Sequence, residues 1–235
     1  LPYKFDDSVL RDAECISGKI TKKEIARRRD MRARTTFTID PADAKDFDDA
    51  LSIHKLEDDI WEVGVHIADV THYVTPDSVV ENEAQQRATS VYLVDRTVPM
   101  LPERLCNDLC SLRPNEDKLC FSALFTLNAN AEILDEWFGR TVIHSDRRFA
   151  YEEAQEVIET GNGDFSEEIL TLNTLAKVLR ANRFKSGAIA FERDEIRFQL
   201  DEKGRPIGVY TKVQKEANQL IEEFMLLANR RVAEF

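Results

Sequence analysis

Five of the ten residues from Asp40 to Asp49 are aspartates, and only Lys45 opposes them. Strand-type patterns stand on both sides, Thr35 to Ile39 before the run and Ala50 to Lys55 after it. Strands that converge on such a loop hold its carboxylates close together, where mutual repulsion disfavours joint ionisation. The cluster then persists at neutral pH only if protons or a cation compensate it. Mg²⁺ is a hard ion that takes oxygen ligands from a few carboxylates, with substrate phosphates and water completing its shell. Two such ions can clamp the attacking and leaving oxygens of an in-line phosphoryl displacement. A solvated acidic turn, with Asp side chains capping backbone amides, is the plainer reading of the same residues. A calcium loop fits less well, because the glycine and closing glutamate of the EF-hand pattern are missing.

Around that loop the chain mixes strands and helices without strict βαβ alternation. Val63, Val65 and Ile67 alternate with Glu62, Gly64 and His66, so 60–68 reads as a half-buried strand joined to 50–55 by a turn at Glu57, Asp58 and Asp59. Thr21 with Glu24 has capping-box spacing and predicts a short basic helix through Arg27, Arg28 and Arg29, and Ser78 with Glu81 opens another that ends near Thr89. A helix about Glu103 to Ser111 precedes a hairpin, with Phe121, Ala123, Phe125 and Leu127 on one face of its first strand and a turn near 128–130. Helices over 151–160 and 166–185 are separated by Gly161-Asn162-Gly163. A strand pair within 187–210 turns at 201–204, and a helix from Gln214 runs to Phe235. The expectation is a single α+β domain over 1–235, a mixed or antiparallel sheet core with surrounding helices.

The 235 residues carry 32 basic and 44 acidic side chains, a formal charge of −12, which argues against a generic nucleic-acid coat. Any nucleic acid would have to bind in a local basic channel, for which Arg27 to Arg34, Arg147 with Arg148, and Arg183 with Lys185 are candidates. Four cysteines at 15, 106, 110 and 120 form no disulfide framework and match no zinc pattern, so they read as packing in a reducing, cytoplasmic setting. No apolar run approaches a membrane span, and nothing in the pattern calls for an oligomer.

The stretch TIDPADAKDFDDA resembles the signature of the RNB family, the catalytic domain of ribonucleases II and R and of the exosome's exonucleolytic subunit. The resemblance continues through GVHIADVTHYV (64–74), SVYLVDRTVPMLPERLCNDLCSL (90–112), GAIAFE (187–192) and LIEEFMLLAN (220–229), and the LPYKF opening is most like ribonuclease R members. It implies a processive, Mg²⁺-dependent 3′→5′ exoribonuclease that releases nucleoside 5′-monophosphates. The metal-site aspartates fall on Asp40, Asp46, Asp48 and Asp49, holding two Mg²⁺ ions or Mn²⁺ in their place, and Asp48 is singled out for cleavage over binding. Asp43 is left as a loop residue.

The resemblance also places the 3′ end of single-stranded RNA between Tyr92 and Phe191. Rings stack bases with about 1–3 kcal/mol per base and without regard to identity. Taken singly, each ring is more simply a core aromatic on a strand. Glu223 matches a family glutamate that acts near the leaving nucleotide, which makes it a catalytic candidate beside Asp48. It leans toward the apolar side of its helix and wants a partner, although the choice between Glu222 and Glu223 stays open by one residue.

Leu1 opens the chain, and its last helix meets no stop signal, so the sequence reads as a piece of a longer protein. The family's cold-shock and S1 domains are not seen, and an arginine that contacts the reacting phosphate is expected beyond Phe235. The piece by itself is therefore expected to have little or no activity. Two other readings stay open: a catalytically inactive, RNA-binding RNB relative, and a metal-dependent phosphohydrolase acting on small phosphate esters.

Overall fold

The computed structural model describes residues 3–94, 96–189, 195–201 and 205–235. Helices α1 (Asp7–Cys15) and α2 (Lys22–Ile25) lead into strands β1 (Arg29–Asp30), β2 (Thr35–Asp40), β3 (Asp49–Glu57) and β4 (Ile60–Ala68). Helices α3 (Val70–Tyr73) and α4 (Val79–Arg87), the short strands β5 (Val91–Tyr92) and β6 (Thr97–Val98), and a π-helical turn over Leu105–Leu109 follow. The second half holds β7 (Glu116–Asn128), β8 (Ile133–Ser145), β9 (Arg147–Ala150), α5 (Tyr151–Thr160), α6 (Ser166–Lys185), β10 (Glu195–Leu200), β11 (Pro206–Lys212) and α7 (Glu216–Glu234).

Seven strands make one mixed sheet in the order β1-β8-β7-β4-β3-β2-β9, the α+β arrangement the intermixed pattern implies. Its central strands pair antiparallel, whereas β1 joins β8 and β9 joins β2 in parallel at the two edges. Registered residues point to one face of a sheet. Ile53, Val63 and Phe125 lie in one row and Leu51, Val65 and Ala123 in another, all buried beneath α5, α6 and α7. The opposite face packs on α1, α4 and the 101–112 segment through Ala50, Leu124, Val80, Leu105 and Leu112.

On that second face a polar chain crosses four strands. Ser52 Oγ meets His66 Nε2 at 2.8 Å, His66 Nδ1 meets Ser122 Oγ at 2.7 Å, and Ser122 Oγ meets Thr141 Oγ1 at 2.6 Å. The imidazole lies over Gly64, where a Cβ would come within 2.5 Å of His66 Nε2 and 2.4 Å of Ser52 Oγ. The face that carries Glu62 and His66 therefore has a glycine between them, because the ring occupies the space a side chain would take.

Local signals held where the chain is short-ranged. Thr21 Oγ1 and Ser78 Oγ each accept the N–H three residues on, at 3.1 Å, and Asp59 turns the β3–β4 hairpin at φ 60°. Asp tolerates that left-handed conformation better than most residues. The expected basic helix, however, stops at Ile25. Arg28 is drawn inside to Asp69 at 2.7 Å and to the Cys120 and Thr141 carbonyls, and Arg29 enters the sheet beside Thr141. The segment expected as a helix over 103–111 narrows to the π-helical turn.

Candidate active site

The two ends of the acidic loop are fixed on different neighbours. β2 and β3 pair only from Thr35↔Ile53 to Phe37↔Leu51 and then part, leaving room for the loop. Beyond that point β2 continues against β9, which places Asp40 opposite Ala150, while Asp49 lies opposite Ile67 of β4.

Main-chain tethers hold what lies between. The Arg148 guanidinium donates to the Pro41 carbonyl and lies 5.5 Å from the centre of the Phe47 ring. Ser111 Oγ donates to the Lys45 carbonyl at 2.9 Å and accepts the Phe47 N–H at 3.0 Å. The Leu112 N–H donates to the Phe47 carbonyl at 2.8 Å, and the Ala68 N–H to the Asp48 carbonyl at 3.0 Å.

The loop borders a cleft of about 1080 Å³ onto which Asp40, Asp46, Asp48, Tyr92, Tyr151 and Tyr210 open. Burial, opposed by the nearby Thr38 hydroxyl and the Arg148 guanidinium and reinforced by the charge of Asp46, pushes Asp40 up to about 6. Partial withdrawal from water, then the charges of Asp46 and Asp40, does the same for Asp48, which still reaches solvent at the rim. Burial with Asp40 and Asp48 nearby lifts Asp49 to about 7. Three of the four expected carboxylates thus share one electrostatic problem, the crowding that the sequence pattern implies. Tyr92 is 66% exposed, and its hydroxyl donates to Asp46 Oδ2 at 3.0 Å. Phe191, its expected partner, lies outside the described residues.

These groups suit a hard cation. All are oxygen donors, and Asp40 Oδ2 is buried without a hydrogen-bond partner, the condition of an atom that lacks its counter-charge. Among the described residues no three acidic, histidine or cysteine side chains converge into a finished cage. That is compatible with Mg²⁺, which is ordinarily bound through one or two carboxylates, phosphate oxygens and water.

Glu223 is placed elsewhere. It is 2% exposed on α7 and does not line the cleft. Arg180 Nη1 reaches its Oε1 at 3.1 Å and Arg183 Nε its Oε2 at 3.0 Å, while Glu222 meets Arg183 at 3.2 Å. The partner that the sequence asks for is this pair of arginines on α6. Most of the basic candidates are similarly committed: Arg29 and Arg34 to Glu62, Arg32 to Asp30 and Asp117, and Arg147 to Asp164. Arg148 is the one of them that meets the acidic loop.

Ser111 and Tyr151 escape a reading of side-chain patterns, and Arg148 is marked there only as a candidate for a basic channel. Ser111 and Arg148 both act on the loop's backbone. Tyr151 follows β9 directly at the start of α5, where burial and then Asp49 and Asp40 push its phenol up to about 12. The cysteines are free, with Cys110 and Cys120 buried as packing residues and Cys106 half-buried at the cleft. No helix among the described residues is long and apolar enough to cross a membrane.

The model of the RNB domain matches residues 28–235. A DIS3-like exonuclease 2 of Schizosaccharomyces pombe is 47% identical, over 98% of this chain and 26% of that protein. A protein of Arabidopsis thaliana described as an inactive exonuclease DIS3L2 is 38% identical, over 98% of this chain and 23% of its own length. Mycoplasma genitalium RNase R in complex with ribose-methylated single-stranded RNA superposes with a TM-score of 0.91 at 29% identity, covering 98% of this chain and 36% of that one. The chain therefore spans about a quarter to a third of the relatives it matches.

Proposed function

The chain belongs to the RNB-domain family, and on that premise we propose that the protein carrying it is a processive, Mg²⁺-dependent 3′→5′ exoribonuclease that hydrolyses single-stranded RNA to nucleoside 5′-monophosphates. The observation that carries the reading is the shared cleft: Asp40, Asp46 and Asp48 open onto the same space as an exposed tyrosine. Carboxylates to bring a divalent cation to a phosphate and a ring to hold a base of any identity are what sequence-independent phosphodiester hydrolysis needs.

Asp40, Asp46, Asp48 and Asp49 would hold two Mg²⁺ ions, or Mn²⁺ in their place. When bound, the cations supply Lewis-acid stabilisation of the charge that develops on the phosphate oxygens. Asp48, at the open rim, is the carboxylate assigned to cleavage rather than to binding. Tyr92 offers its ring to the 3′-terminal base, with Phe191 as the opposing ring, and its hydroxyl keeps Asp46 turned toward the cleft. Glu223 is assigned the ion pair with Arg180 and Arg183. The cytoplasm is the proposed setting.

The test is the full-length protein, wild type and Asp48→Asn, on 5′-labelled single-stranded RNA with Mg²⁺ and then with EDTA. A descending ladder that is lost with Asp48→Asn and with EDTA, while RNA binding persists, is the expected result. RNA bound but never shortened by the wild type would make it an inactive relative. Hydrolysis of small phosphate esters in preference to the oligonucleotide would make it a phosphohydrolase.

A further inference from the structure

Ser111 lies in the LCSL segment, outside the acidic loop, yet its hydroxyl touches that loop twice. The residue is 0% exposed. Its Oγ donates to the Lys45 carbonyl and accepts the Phe47 N–H, so the two bonds straddle Asp46. Leu112 adds a third bond to the Phe47 carbonyl, carrying the constraint up to Asp48. The anchor itself is firm: the Ser111 N–H reaches back to the Asp108 carbonyl at 3.2 Å, which also takes Lys118 Nζ at 2.7 Å, and Leu112 is buried in the core.

Crowded carboxylates repel, and a free loop would relax by spreading them apart. Something other than the carboxylates must therefore hold the main chain in the crowded form before a cation arrives. The site needs one atom that donates on one side of Asp46 and accepts on the other, and a hydroxyl does both. We propose that Ser111 is a positioning residue for the cation site, its hydroxyl setting the loop conformation that turns Asp46 and Asp48 into the cleft. The inference rests on the cation reading of the aspartates given above.

Ser122 supplies a matched comparison, a buried serine whose hydroxyl also makes two bonds, but within the sheet. The experiment takes the full-length protein as wild type, Ser111→Ala, Ser111→Thr and Ser122→Ala. It measures Mn²⁺ binding by electron paramagnetic resonance, hydrogen exchange at the Phe47 amide and thermal unfolding. Ser111→Ala is expected to weaken Mn²⁺ binding roughly 10- to 100-fold, the usual cost of losing an outer-shell support, and to speed exchange at Phe47. Ser122→Ala should lose stability and keep its Mn²⁺ affinity, while Ser111→Thr, which retains the hydroxyl, should recover most of the binding. If Ser111→Ala does not fold, Ser111→Cys reads the same contrast, since a thiol of similar size bonds weakly. Wild-type Mn²⁺ affinity in a folded Ser111→Ala or Ser111→Cys, or an equal loss in Ser122→Ala, overturns the positioning role and leaves the cation site standing. A full-length wild type that binds no Mn²⁺ overturns the cation reading, and the role assigned to Ser111 falls with it.

Discussion

The phenol of Tyr92 donates to Asp46 Oδ2 at 3.0 Å while its ring stays two-thirds exposed, so one side chain has a polar end on the carboxylate loop and an apolar face on the cleft. The two ends can be separated by substitution. Tyr92→Phe keeps the ring and should leave the affinity for single-stranded RNA in EDTA unchanged. Tyr92→Ala should weaken it by about 1–3 kcal/mol, the contribution of one stacked base. Fluorescence anisotropy with a labelled oligonucleotide reads both, and equal losses would assign the contact to the hydroxyl instead of the ring.

Asp48 shows the sign of the electrostatic problem. Its folded pKa, about 6, stands above the ordinary value of 3.8. Its contribution to stability is therefore present at low pH and lost as pH rises through about 6. At pH 7.5, without a cation, the ionised side chain penalises the fold, and Asp48→Asn should be more stable than wild type by about 1 kcal/mol, a figure discounted for its remaining solvent contact. Mg²⁺ should raise the wild-type melting temperature by mass action and move that of Asp48→Asn far less. Calorimetry with Mg²⁺ and then EDTA checks this, and a wild type indifferent to both would remove the cation from the site.

How much of this was legible follows the range of the interactions. The strands around the loop, the β7–β8 hairpin and the helices α5, α6 and α7 are written in local periodicity and caps, and each stands close to its expected bounds. β9 is not written there: it has four residues, and it pairs in parallel with β2, more than a hundred residues away. The basic run at 27–29 looks helical until Arg28 finds Asp69 across the fold, a pairing no local pattern records. Within the site, crowding of the aspartates follows from composition and flanking strands. Ser111 grips a carbonyl and an amide of the main chain, so no side-chain signature marks it, and Arg148 is marked only as a cation, not as the residue that grips the Pro41 carbonyl.

Glu223 joins α7 to α6 as a buried acid between two guanidinium groups. Removing one member of such a pair leaves the others desolvated without compensation. Since Arg180 and Arg183 are each about one-third exposed, the loss is moderated by water. Glu223→Ala should cost about 2–3 kcal/mol in urea unfolding, with Mn²⁺ affinity unchanged. A large loss of Mn²⁺ binding at unaltered stability would instead assign Glu223 to the cation site.

His66 provides the clearest pH dependence. Burial lowers its pKa from 6.5 to about 3, because the imidazole is enclosed in the sheet between two serine hydroxyls. Between those values the unfolded chain binds a proton that the folded chain refuses, so stability present above pH 6.5 drains away as pH falls toward 3. By pH 5 the loss amounts to about 2 kcal/mol at the linkage slope of about 1.4 kcal/mol per pH unit. Asp40, Asp48 and Asp49 work in the opposite direction over part of the same window, since their folded values are raised. The informative quantity is therefore the difference between wild type and His66→Gln, in which the carboxylates cancel. The amide can donate to one serine and accept from the other without taking up a proton. Urea unfolding at pH 7 and pH 5 should show the variant less stable at pH 7, yet with its disadvantage reduced by about 2 kcal/mol at pH 5. An unchanged difference between the two pH values would mean that His66 takes up its proton within the folded sheet.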